Sequence, residues 1–278
     1  QYKLYPEFKI KNSDMSLREF KYIFWWEYGH RVLGRIIGII FVLPFIYFCI
    51  KKYFNKKEFL IYGFLFLLGS MQGLIGWWMV RSGLIDNPYV DHIRLAIHLF
   101  MAQTILMILS YLILKKIFQS KYEFKNLNNT FKYQFLIFFI LTSVTVIYGA
   151  FMAGMDAGKS FNTWPLMGDS FIPDSLIGDG GLNEFYTNSI FIHFSHRILA
   201  YLTCVLGVYI FITTYRHIFS DFQKKHLILI EIIIFIQILL GILTIIYEVP
   251  ILLGALHQLS GSLLLMLTAT YAFSLFEK

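Results

Sequence analysis

Seven apolar runs of about twenty residues each dominate this 278-residue chain. They fall at about 30–50, 59–80, 95–114, 133–153, 194–215, 227–247 and 254–276 and are called spans A to G. A helix rising 1.5 Å per residue needs about 20 residues to cross about 30 Å of hydrocarbon. Backbone in lipid must satisfy its own hydrogen bonds, so each run predicts a helix. The expected fold is an all-α integral membrane protein. Composition agrees, with 57% hydrophobic and only 15% charged residues, where a soluble domain carries about 25% charged. Pro44 lies inside span A, a kink position that membrane helices tolerate. Cys49 and Cys204 sit within apolar runs and suggest neither a disulfide framework nor a Cys-x-x-Cys motif.

The formal charge of +7 would raise nucleic acid as a partner in a soluble protein. Here the basic residues crowd into alternate turns, and no nucleic-acid partner is expected. Turn A–B holds Lys51, Lys52, Lys56 and Lys57. Turn C–D holds Lys115, Lys116, Lys121, Lys125 and Lys132, and E–F holds Arg216, Lys224 and Lys225. On the opposite side are Arg81 and Arg94 in B–C, Lys159 in D–E, and none in F–G. The positive-inside rule places the first set in the cytoplasm, or in the matrix of a mitochondrion. Residues 1–28 and the acidic D–E loop, with Asp156, Asp169, Asp174, Asp179 and Glu184, then face outward. Richness in Ile, Lys, Phe and Asn points to an AT-rich genome, and a bacterial inner membrane is expected before a mitochondrial one.

The chain repeats itself. Span A opens with His30-Arg31 and span E with His196-Arg197. Span B carries Gln72-x-x-x-Gly76 and span F carries Gln237-x-x-x-Gly241, while spans C and G carry His98 and His257. The order His-Arg, Gln-x-x-x-Gly, His thus occurs twice, which predicts tandem duplication. Span D precedes E–F–G, and symmetry asks for a matching span before Gln1. The expectation is an eight-helix protein of two pseudo-symmetric four-helix halves, with seven helices in this chain, divided as 1–132 and 133–278.

Spans A, C, E and G all run from outside to inside. Lys51, Lys115, Arg216 and Glu277 follow His30, His98, His196 and His257 by 21, 17, 20 and 20 residues. All four imidazoles therefore sit near the outer edge of the hydrocarbon, within about one helical turn of one depth. One such histidine is as easily an interfacial side chain as a ligand. Four at matched depth in a repeated setting favour ligation, because ionisable groups at membrane depth are usually functional. One pair per repeat, from separate helices, suits axial ligation of haem iron; zinc would want four clustered ligands, often thiolates.

Several neighbours carry two readings. Glu27, three residues before His30, is either an acid–base or electrostatic group at the lip of a haem pocket or a first-turn glutamate favoured by the helix dipole. Arg31 and Arg197 either bind haem propionates bidentately or snorkel to the interface; the latter reading is stronger still for Arg94. His193 holds the place relative to His196 that Glu27 holds relative to His30, and an interfacial role is favoured. His92, His217 and His226 are expected to be solvated at loop edges. Loop 154–189, with Trp164-Pro165 and a Gly-rich stretch at Gly178–Gly181, is expected to be an ordered outward cap with one flexible part, and Trp164 to pack near a haem edge.

Certain stretches resemble the haem A synthase family. They are Pro6-Glu7-Phe8-Lys9, Phe24-Trp25-Trp26-Glu27-Tyr28-Gly29-His30-Arg31 and Gly73-Leu74-Ile75-Gly76-Trp77-Trp78-Met79-Val80, followed by Arg94-Leu95-Ala96-Ile97-His98-Leu99. Phe161-Asn162-Thr163-Trp164-Pro165-Leu166-Met167-Gly168, His196-Arg197 and Leu256-His257-Gln258 complete the set, which covers nearly the whole chain in order. The resemblance implies eight spans in two halves and oxidation of the C8 methyl of haem O to a formyl group, giving haem A for terminal oxidases. It implies that His30 and His98 frame the substrate haem, that His196 and His257 hold a resident b-type haem, and that Glu27 is functional. The outer-loop cysteine pair of some family branches is absent here. Haem O synthase and terminal oxidase assembly factors are the implied protein partners, with membrane lipid around them. A dihaem electron-transfer cytochrome accounts for the histidines but not for Glu27 or the Asn-Thr-Trp-Pro loop. A duplicated transporter would want its ionisable groups near the midplane instead.

Overall fold

The computed structural model describes residues 2–84, 88–118, 128–176, 178, 181–218 and 220–276. Lys121, Lys125, Asp179, Gly180 and Glu277 lie outside the described residues. Among the described residues, seven helices are long and apolar enough to span a membrane. They are α1 (Leu17–Ile50), α2 (Lys56–Ser82), α3 (His92–Phe118), α4 (Asn129–Gly154), α6 (Ser189–Thr214), α7 (Asp221–Ile246) and α8 (Ile251–Leu275), with the single turn α5 (Glu184–Thr187) before α6. The protein is an all-α, multi-pass membrane protein.

Several helices begin where the sequence supplies a cap. Ser16 and Glu19 form a capping box at α1: the Ser16 hydroxyl accepts from the Glu19 amide, and the Glu19 carboxylate accepts from the Ser16 amide. Asn55 and Glu58 repeat the device at α2. Asn188 caps α6 by accepting from the amides of Ile190 and Phe191. These caps lie outside the apolar runs, so the helices begin earlier than hydropathy alone suggests. α1 starts at Leu17, which puts Glu27 and His30 on one continuous helix; it runs unbroken through Pro44.

The chain divides into two compact units, Gln1–Ile105 and Leu106–Lys278. In the second unit α4 packs on α6 and α8, and α7 packs on α6 and α8, closing a four-helix ring. Its core is Phe135, Phe138, Ile210, Leu227, Ile230, Ile234, Tyr271 and Ala272, each at most 3% exposed. Bare Gly207 lets α6 and α7 approach there: an added Cβ would come 2.5 Å from Ile234 Cδ1. In the first unit α1 packs on α2, with Phe45 ring-to-ring against Phe54, Phe59 and Phe66. The segment before α1 lies back on it: the Tyr2 ring packs tilted against Phe20 at 4.8 Å, and Asn12 Nδ2 donates to the Tyr2 hydroxyl at 2.9 Å.

Candidate functional site

The repeated sequence motif is a repeated local structure. In the first unit, Gly76 of α2 faces His98 of α3 so closely that a Cβ there would lie 2.8 Å from the imidazole Cε1. In the second, Gly241 of α7 meets His257 of α8 in the same way, with a Cβ at 2.9 Å from Cε1. One turn earlier on each helix stands the glutamine. Gln72 Nε2 lies 3.5 Å from His98 Nε2, and Gln237 Nε2 lies 3.4 Å from His257 Nε2. Gln-x-x-x-Gly is therefore a cradle: the glycine admits the ring and the glutamine faces its nitrogen. These partners were missed in the sequence, although the repeat itself marked them.

Four helices of the second unit bring two histidines together. His196 of α6 rests against Gly149 of α4, where a Cβ would be 3.2 Å from its Cε1. Its Nδ1 lies 3.1 Å from the Thr145 carbonyl, which makes Nδ1 the protonated nitrogen and leaves Nε2 with its lone pair free. The His196 and His257 ring centres are 6.3 Å apart and their planes cross at 84°. A metal bonded to one nitrogen of each ring at about 2 Å, with about 1 Å from nitrogen to ring centre, requires a separation of about 6 Å. The separation of the two ring centres is that of two imidazoles sharing one metal. Two protein ligands suffice when a macrocycle fills the metal's equatorial plane, and a ring fixed through Nδ1–H is the usual arrangement of a ligating histidine.

In the first unit His98 is half-buried, His30 is exposed on α1, and the two lie within electrostatic range. Arg31 Nη1 donates to Glu27 Oε2 at 3.5 Å, with both side chains about half exposed. Glu7 is brought into the neighbourhood of Glu27. Burial holds its carboxyl above the usual carboxylate range, and the negative charge of Glu27 adds to the effect. Arg94 stacks on Trp78 at 4.5 Å and donates to the Trp78 carbonyl at 3.0 Å.

Arg197 takes a different role from Arg31. It is 6% exposed, its Nε donates to His193 Nε2 at 3.0 Å, and its terminal nitrogens donate to the carbonyls of Leu166 at 3.1 Å and Phe161 at 3.2 Å. It fastens the loop segment 161–166 to α6. Trp164 Nε1 donates to the Tyr201 hydroxyl at 3.0 Å, and Asn162 Nδ2 donates to the Ile245 carbonyl at 3.0 Å, so the loop is pinned to α6 and α7 together. Trp164 itself is 43% exposed. His193 is fully buried rather than interfacial, because it is the acceptor that completes the Arg197 clasp. His226 is a second correction. α7 begins at Asp221 and carries it into the ring, where Nε2 bonds the Leu267 carbonyl at 3.0 Å and the imidazole meets Tyr271 edge-on.

An Arg197→Gln change removes most of the donors on which loop segment 161–166 depends. Amide hydrogen exchange in 157–168 should then rise by at least about tenfold, since losing bonds from a buried charged donor costs more than about 1.4 kcal/mol. Native exchange rates in that variant would show that the loop is held by other contacts.

The fold and the site define a multi-pass helical membrane protein in which a duplicated cradle presents histidines from separate helices. The cytochrome oxidase assembly protein family model (COX15-CtaA) matches residues 1–269, and the chain belongs to that family. It is 38% identical to the heme A synthase of Flavobacterium psychrophilum, over 100% of this chain and 82% of that one. It is 39% identical to the heme A synthase of Pelagibacter ubique, over 96% and 77%. Against the heme A synthase of Rickettsia conorii the identity is 36%, over 95% and 79%.

Proposed function

We propose that this chain is a haem A synthase, an oxidoreductase that converts the C8 methyl of haem O to the formyl group of haem A for terminal oxidases. The observation that carries the reading is the His196–His257 pair, perpendicular and 6.3 Å between ring centres, in a chain whose relatives bear that name. In this reading His196 and His257 hold a resident b-type haem, which supplies one-electron redox chemistry when bound. His30 and His98 frame the substrate haem in the other half of a duplicated protein. Thr145 fixes the tautomer of His196, and the bare backbone at Gly76 and Gly241 admits the rings of His98 and His257.

Glu27 acts at the lip of the substrate site, as a fixed negative charge where positive charge develops on the oxidised methyl, or as the base for an attacking water. Arg31, bonded to Glu27, keeps a donor beside it for a substrate propionate. The Arg197-fastened loop, with Trp164, caps the second site and limits water entry. Charge alternation between the turns supports an orientation with the histidine-bearing ends and loop 154–189 on the outer side of the membrane, and the bacterial relatives support a bacterial inner membrane, which makes that side periplasmic. Haem O synthase, which must deliver the substrate, and oxidase assembly factors, which must take the product, are the corresponding partners.

The test is expression in a host that makes haem O but no haem A. Haem A appearing in its membranes only when the chain is present supports the reading, and haem O unchanged beside a well-expressed chain refutes it.

A further inference from the structure

One charged side chain inside the second unit takes no part in the site described above. Between Lys225 and Glu248 the only charged residue in the sequence is Glu231, well within the α7 span. Its carboxylate turns inward, to the place where α7 meets α6 and α4. A Cβ added at Gly207 would lie 3.5 Å from Glu231 Oε1 and 3.4 Å from Phe138 Cε2. Oε1 is buried and has no hydrogen-bond partner among the described residues. The titratable group that α6 sets near it is the Cys204 thiol, while α4 sets Phe138 there. His226, five residues inward on the same helix, is turned instead to the Leu267 carbonyl and Tyr271 of α8. Counted from the cradle glutamine, the first unit has Phe66 at this place, so the carboxylate is no part of the repeated frame.

Glu231 stands six residues inward of Gln237, about 9 Å along the helix, and Gln237 Nε2 is 3.4 Å from His257 Nε2. Cys204 stands eight residues inward of His196, about 12 Å along α6. Both counts put the carboxylate about 10 Å to the inner side of the paired imidazoles. Thr203, next to Cys204, has its hydroxyl 3.1 Å from that of Thr145, whose carbonyl holds His196 Nδ1. An unpartnered carboxylate at membrane depth is costly as an anion, so whether it keeps its proton depends on nearby charge. One unit charge at about 10 Å, with an effective dielectric constant of about 20, changes its proton affinity on the order of tenfold. We propose that Glu231 is the proton-holding group of the second unit, binding one proton as the resident haem gains one electron and releasing it when the electron leaves. Oxidation of the substrate methyl supplies the electron and water the proton, and the net charge inside the unit stays constant. This rests on the reading that His196 and His257 hold a haem.

The test is a redox titration at a series of pH values on the full chain, purified from a host that makes only haem B. The midpoint potential of the native chain should fall as pH rises through the carboxyl's titration. A tenfold coupling gives a total fall of about 59 mV for one electron. Glu231→Gln, which imitates the protonated acid, should hold the low-pH potential throughout, and Glu231→Asp should restore the fall. A second readout needs no variant: the reduced-minus-oxidised infrared spectrum of the native chain should gain the stretch of a protonated carboxyl on reduction. The same pH dependence in Glu231→Gln as in the native chain would overturn the proposal, since haem propionates or another group would then carry the proton. A native infrared spectrum without the carboxyl band would overturn it even if Glu231→Gln failed to fold. A native chain with no haem to titrate would instead overturn the functional reading on which the proposal rests.

Discussion

Glu27→Gln is expected to lower conversion of haem O to haem A by on the order of 10²-fold or more while leaving bound haem nearly unchanged. Glutamine keeps the size and much of the hydrogen bonding of the side chain and deletes its charge. A charge aimed at the developing cation is comparable to one preorganised electrostatic contact, whose loss costs about 10²–10³ in rate. The structural contribution of Glu27 is small by comparison. It pairs with Arg31 at 3.5 Å, and both side chains are about half exposed. Such i,i+4 pairs stabilise by only about 0.3–0.5 kcal/mol, so the variant should fold and insert normally. The measurement is haem content and conversion on the same preparation. Full conversion would reduce Glu27 to a helix residue near the membrane edge, and joint loss of haem and conversion would make it structural.

The second large effect belongs to His257. His257→Ala should leave the second unit folded and inserted but empty its haem site, with retention falling by at least about 100-fold. Removing an outer partner of a ligand already costs 10–100-fold in affinity, and here the ligand itself is gone. Folding should survive because the core of the ring, around Phe135, Phe138, Ile230 and Tyr271, does not include this ring. The reduced-minus-oxidised spectrum reports the result. A native low-spin signal from His257→Ala would remove His257 from the ligand set, and with it the pairing with His196.

The spans were legible because hydrocarbon thickness sets both their length and their composition. Their starts were less so. α1 begins 13 residues before the apolar run, since hydropathy marks only the buried stretch and the Ser16–Glu19 cap sits beyond it. The same effect hid His226: its neighbours Lys224 and Lys225 read as a solvated turn, yet α7 already starts at Asp221. The four histidines could be chosen from sequence because depth is a matter of counting. Their partners could not. Gln72 and Gln237 stood out as a repeated pattern, but an amide set against an imidazole on another helix has no signature in one dimension. Arg197 shows the opposite problem. Its place beside His196 suggested a propionate partner, while its guanidinium spends its donors on His193 and two loop carbonyls, groups that only the path of the loop brings near.

Pigment composition tests the central claim most directly. The protein, purified from a host that supplies haem O, is extracted with acidified acetone and its haems are separated by chromatography. Haem B from the resident site is expected together with haem O and haem A from the substrate site. Haem B alone would identify an electron-transfer cytochrome, and a preparation without haem would contradict the assignment of these histidines altogether.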